Sequence, residues 1–178
     1  MEELKMVIKK FKRNKSPGPD GVPIELFQWL DDDTLEPILT HINTCWESGT
    51  ITEGMNDANI AVLHKKGSTE NPENYRPIAL LNTTYKIIAS IIQRRLAESM
   101  DHTIDEMQYG FRKRKSTSQP LQIVRRTAET VEESGASLYM LLIDWEKAFD
   151  KVDQERLIIA LARMGIPQKN NQHHQSYL

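Results

Sequence analysis

The sequence holds one cysteine, Cys45, so no internal disulfide can form. That usage points to a reducing, intracellular compartment, nuclear or cytoplasmic. Nowhere does an apolar run approach the roughly 20 residues that a membrane-spanning helix needs. The stretch from Met1 to Lys15 is rich in charge and lacks the apolar centre of a signal peptide. Internal repeats are missing, and no linker divides the chain. Neither sign of charge dominates: 23 Lys and Arg face 25 Asp and Glu, a net of −2. The balance alone argues weakly against a polyanionic partner, but its distribution does not. Lys9, Lys10, Lys12, Arg13 and Lys15 form one basic cluster, and Arg112, Lys113, Arg114 and Lys115 form another. A local basic surface attracts phosphates whatever the total charge, although such clusters also serve as solvated faces.

What is present reads as one α+β domain. Leu4, Val7, Ile8 and Phe11 repeat at helical spacing over residues 1–13. The run Ser16-Pro17-Gly18-Pro19-Asp20-Gly21 breaks that helix with turn formers. A short helix is expected over 22–30. A longer one should start with Thr34 as its N-cap, carry Leu35, Ile38, Leu39, Ile42 and Trp46 on one face, and end at Gly49. The triplet Asp31-Asp32-Asp33 suits a helix start and its dipole. Residues 59–63 read as a buried strand and 76–81 as a second, forming a hairpin with a long polar tip around Lys65-Lys66-Gly67. Ile88, Ile91, Ile92, Leu96 and Met100 mark a helix over 83–100, which should back the hairpin. Another helix fits 117–133, closed by Gly135. The apolar run 138–143 reads as a strand covered on both faces. Asp153 should cap a final helix lined by Leu157, Ile158, Leu161 and Met164.

That run delivers a carboxylate, Asp144, at its C-terminal end, where a charge is costly unless paired or bound to metal. Asp144 could equally cap the turn, and Asp150 or Asp153 the helix. The decapeptide Ile143-Asp144-Trp145-Glu146-Lys147-Ala148-Phe149-Asp150-Lys151-Val152 resembles the first catalytic palm motif of reverse transcriptases, in its non-LTR retrotransposon form. Three further blocks resemble the same family in the same order. They are Lys15-Ser16-Pro17-Gly18-Pro19-Asp20-Gly21, then Asn74-Tyr75-Arg76-Pro77-Ile78-Ala79-Leu80 with Lys86 and Arg95-Leu96, then Gln108-Tyr109-Gly110-Phe111-Arg112 with Ser116-Thr117. The resemblance implies the fingers and partial palm of a right-hand polymerase, with helices packed on a small mixed sheet. It covers residues 1–167 as a partial reverse transcriptase domain and leaves 168–178 as an irregular tail.

The resemblance implies roles residue by residue. Asp144 would be catalytic and would hold divalent metal, with the Trp145 carbonyl as a further ligand. Phe149 would exclude a ribose 2′-hydroxyl, and the Ala148 amide would face the incoming nucleotide. Lys65 or Lys66, with Arg76, would grip its phosphates, while Arg112, Lys113, Arg114 and Lys115 would touch nucleic acid. Mg2+ is the implied ion, with Mn2+ as the substitute. The implied partners are an RNA template, a DNA primer and deoxynucleoside triphosphates, with no membrane. From the residues alone, other readings stand beside these: a soluble charged tip for Lys65 and Lys66, a pair between Arg76 and Glu73, and a core position for Phe149.

The family's second pair of acids, in a Tyr/Phe-X-Asp-Asp hairpin, has no counterpart after Gly165. The thumb and any endonuclease are missing as well. His173-His174 lacks further ligands at metal spacing. A two-metal site needs several carboxylates, so metal binding and polymerisation by this stretch alone are not expected. The expectation is an RNA-directed DNA polymerase by descent, truncated and inactive alone. The alternatives are a non-catalytic nucleic-acid-binding remnant or a non-functional retroelement fragment.

Overall fold

The computed structural model describes residues 1–166; the expected tail at 168–178 lies outside them. The described residues form a mixed architecture of α-helices and one two-stranded antiparallel sheet. They divide into two compact units, Met1–Leu96 and a second that starts at Ala97.

The first unit is built on helices. Helix α1 (Glu2–Lys10) buries Leu4, Val7 and Ile8, with acids in its first turn and Lys9 and Lys10 in its last, as the helix dipole favours. Helix α2 (Ile24–Trp29) buries Ile24 and Phe27. Helix α3 (Asp32–Ser48) is capped by Asp31, whose carboxylate accepts the Thr34 N–H at 3.0 Å. Thr34 therefore lies in the first turn and is not the cap. The first acid of the triplet occupies the cap, while Asp32 and Asp33 fill the first turn. The Thr34 hydroxyl, then its amide, hold the Asp31 carboxyl below its usual range. Gly49 ends α3 at φ 73°, and its N–H donates to the Cys45 carbonyl.

Helix α4 (Thr83–Met100) adds Ile87, Ile88 and Ile91 to one core with Leu4, Val7, Ile8, Ile24, Phe27, Leu35 and Ile42. Ile87 is wholly inaccessible. The helices thus bury their apolar stripes against one another and not against a sheet.

Strands β1 (Ala58–His64) and β2 (Tyr75–Leu81) pair antiparallel from Ala58↔Leu81 to His64↔Tyr75. The sheet is a plain hairpin, not a mixed sheet. It is not buried as expected, because residues 59–64 and 76–79 are exposed on both faces. Only Ala58, Tyr75, Leu80 and Leu81 are half-buried, so α4 does not back the ribbon along its length.

In the second unit a loop leads from α4 to α5 (Ser118–Ser134), which Gly135 closes at φ 66°. Asp153 caps α6 (Gln154–Arg163) by accepting the Arg156 N–H at 3.0 Å. The expected buried strand over 138–143 is not formed. Its residues carry no strand pairing, and exposure runs from 41% at Leu138 to 94% at Tyr139. The apolar run requires cover, but no described segment pairs with it. None of the described residues of this unit is buried.

Candidate nucleic-acid and nucleotide interface

The ribbon's tip is built by local polar contacts. Lys65 N–H donates to the Asn74 carbonyl at 2.7 Å, one step past the last strand pair. The Asn74 amide donates to the Ser68 carbonyl at 2.7 Å, and the Tyr75 hydroxyl to the Thr69 carbonyl at 2.9 Å. The Asn71 side chain accepts the Glu73 N–H and starts a 3-10 turn over Pro72–Asn74. His64 and Tyr75, opposite each other in the register, meet edge to face at 5.2 Å. Gly67 sits at φ 83°, with the Asn74 amide where a Cβ would point.

This framework carries Lys65 and Lys66 in the tip and Arg76 opposite Leu63 on β2. All three are exposed, and none forms an ion pair among the described residues. The pairing of Arg76 with Glu73 that the sequence left open does not occur. Exposed cations without carboxylate partners keep their field available to phosphate oxygens.

The second basic cluster, in the second unit, is divided in use. The Arg112 guanidinium forks onto Asp101, with Nε 3.1 Å from the carboxylate and another nitrogen 3.0 Å from the carbonyl. It also donates to the Asp105 carbonyl at 2.8 Å, and its side chain is only 12% exposed. Arg112 closes the loop. Lys115 lies over the Tyr109 ring and donates to the Glu106 carbonyl. Lys113 and Arg114 remain exposed, with Arg114 at φ 64°.

Asp144 and Trp145 sit in irregular chain before a turn over residues 146–151, both exposed. Glu146 pairs with Lys151 at 3.2 Å. Ala148 N–H takes part in no hydrogen bond among the described residues. Phe149 is 81% exposed, not in a core, and meets Phe111 edge to face at 6.2 Å. Sequence reasoning had Phe111 only as part of a block. Its one signal was a large aromatic flanked by Gly110 and Arg112. Among the described residues no three His, Cys, Asp or Glu side chains gather as a metal site. The donor set around Asp144 therefore does not fit a two-metal centre. No described helix is long and apolar enough to cross a membrane.

Residues 63–178 match the family model for reverse transcriptase (RNA-dependent DNA polymerase). The chain is 34% identical over 159 residues to a Transposon TX1 uncharacterized 149 kDa protein of Xenopus laevis, covering 89% of this chain and 12% of that one. It is 30% identical over 171 residues to an RNA-directed DNA polymerase from mobile element jockey of Drosophila melanogaster, covering 94% and 19%. A Pol polyprotein from type-1 retrotransposable element R1 of Bradysia coprophila matches at 27% over 164 residues, covering 90% and 16%. The chain thus spans under a fifth of the length of each of these relatives. Through the family match and these relatives, the chain belongs to the reverse transcriptases of non-LTR retrotransposons.

Proposed function

We propose that this chain supplies the fingers and the first palm segment of a retroelement's RNA-directed DNA polymerase, acting on an RNA template, a DNA primer and deoxynucleoside triphosphates. The observation that carries the reading is the exposed ribbon whose Lys65, Lys66 and Arg76 have no carboxylate partners among the described residues. Arg76 offers a planar fork to phosphate oxygens, and the lysines offer mobile point charges. Lys113, Arg114 and Lys115 offer the second unit's own contact to nucleic acid, and Arg112 shapes the loop that presents them. Phe149, which meets Phe111 edge to face, is the aromatic wall that screens the sugar. The Ala148 amide, unbonded among the described residues, is the donor next to it in sequence.

Asp144 and the Trp145 carbonyl would serve Mg2+ or Mn2+ only where further carboxylates join them. Among the described residues they stand without such a cluster. For the chain by itself, nucleic-acid binding without polymerisation is the reading proposed. Primer extension and filter binding on one purified sample test both statements. Salt-sensitive binding to single-stranded oligonucleotides with no extension is the expected result. Extension that disappears in Asp144→Ala would overturn the non-catalytic part, and no binding at low salt would overturn the interface.

A further inference from the structure

The block Lys15-Ser16-Pro17-Gly18-Pro19-Asp20-Gly21 carries no catalytic group, yet it meets the base of the ribbon at an unusually close approach. Asn82, between β2 and α4, is 7% exposed, and Thr83 is 3% exposed. The Asn82 side-chain oxygen accepts the Asp20 N–H at 3.1 Å. Its amide donates to the Gly54 carbonyl at 2.9 Å, on the segment that leads into β1. One side chain therefore ties both legs of the hairpin to each other and to the 18–20 turn. The Thr83 hydroxyl adds a second tether by donating to the Val22 carbonyl at 2.6 Å. Asp20 shapes the turn by accepting the Val22 N–H on its own carboxylate at 3.1 Å. Gly18 is buried against this junction. A Cβ there would stand 2.5 Å from the Asn82 side-chain oxygen and from the Leu81 carbonyl carbon, closer than atoms pack.

We infer that the 18–22 turn is an anchor, and that Asn82, with Thr83 and Gly18, fixes the direction in which the β1–β2 ribbon leaves the helical core. The argument rests on what else holds the ribbon. Residues 59–64 and 76–79 are exposed, so the strands gain little support beyond their base. A ribbon held at one end points where its base points. Satisfied buried polar groups of this kind specify geometry because any other arrangement leaves them unpaired. Asn82 is thus a positioning residue for Lys65, Lys66 and Arg76. The anchoring itself does not depend on what those residues grip; only its functional consequence rests on the proposed interface.

Distances between spin labels test the inference in the full chain. One label goes on the tip through Glu70→Cys and one on α3 through Glu36→Cys, both exposed positions. Cys45 is buried and leaves the introduced thiols to react. A second pair, Lys9→Cys with Glu36→Cys, reports on the helices alone. The expected result is a single narrow distance peak for the tip pair, lost in Asn82→Ala and in Gly18→Ala while the helix pair stays narrow. If those variants do not fold, Thr83→Val, which removes one hydroxyl and keeps the shape, still widens the tip peak selectively. A tip peak equally narrow in all folded variants overturns the inference. So does a tip peak that widens only together with the helix pair. Loss of the tip peak with oligonucleotide binding unchanged upholds the anchor and removes the interface reading instead.

Discussion

Replacing Lys65, Lys66 and Arg76 together by alanine should change the salt dependence of oligonucleotide binding by a calculable amount. Each phosphate neutralised on a single strand contributes about −0.7 to the slope of log K against log salt. Three exposed cations on one ribbon therefore account for a slope of about −2. Over a rise from ~50 to ~200 mM salt, that share alone costs about 20-fold in affinity. The assay is filter binding of a labelled single-stranded oligonucleotide across that range, with parent and triple variant side by side. The variant should retain only the shallower slope supplied by the loop cations Lys113, Arg114 and Lys115. The control is the triple replacement of Lys9, Lys10 and Lys12, which removes the same charge from elsewhere. Equal slopes in parent and ribbon variant, or an equal loss in the control, would refute the ribbon as the contact.

Three further outcomes are expected. Ile87→Ala, at a wholly buried site on α4, should destabilise the helical core by about 3 kcal/mol, read from denaturant unfolding followed by Trp29 and Trp46 fluorescence; a shift near zero would deny that core. Arg95, by hydrogen bond and charge, holds the Glu3 carboxyl below 4.5, so this pair's stabilisation is present above pH 4.5 and is lost as pH falls through the lowered value. The partners are partly exposed, so the effect stays below about 1 kcal/mol, and Glu3→Gln should remove that part of the acid sensitivity; an unchanged pH profile would count against it. Leu141→Lys, in the exposed run 138–143, should raise solubility and reduce dye binding to apolar surface, because a charge interrupts an uncovered apolar window; greater aggregation in the variant would contradict this.

The parts of the fold legible in the sequence are those set by local periodicity and punctuation. Helix α4 begins at Thr83 and ends at Met100 as its isoleucine spacing indicated, and Gly49 and Gly135 end α3 and α5 in the left-handed conformation that glycine permits. The hairpin was legible from two apolar runs around a polar tip, but its exposure was not. An apolar run states what a segment would gain from cover, not whether a neighbour supplies it. The same gap explains residues 138–143, where a strand pattern meets no pairing partner among the described residues. Capping was misplaced from Asp31 to Thr34 because four capping-competent residues stand in a row, and only geometry selects among them. At the candidate site, the cations Lys65, Lys66 and Arg76 and the aromatic Phe149 were named from sequence, while the contact of Phe149 with Phe111 and the tether at Asn82 were not. Both are contacts between residues distant along the chain, which no local pattern encodes.

The ribbon can also be considered as a lever. Seven residues per strand, at about 3.4 Å each, give an arm of roughly 24 Å. A tilt of about 5° at its base sweeps the tip through roughly 2 Å, whereas binding groups must be held to within about 0.5 Å. The tolerance at Asn82 and Gly18 is therefore several times tighter than anything visible at the tip. A change at the base too small to alter the core could still carry Lys65 and Lys66 out of reach of a phosphate.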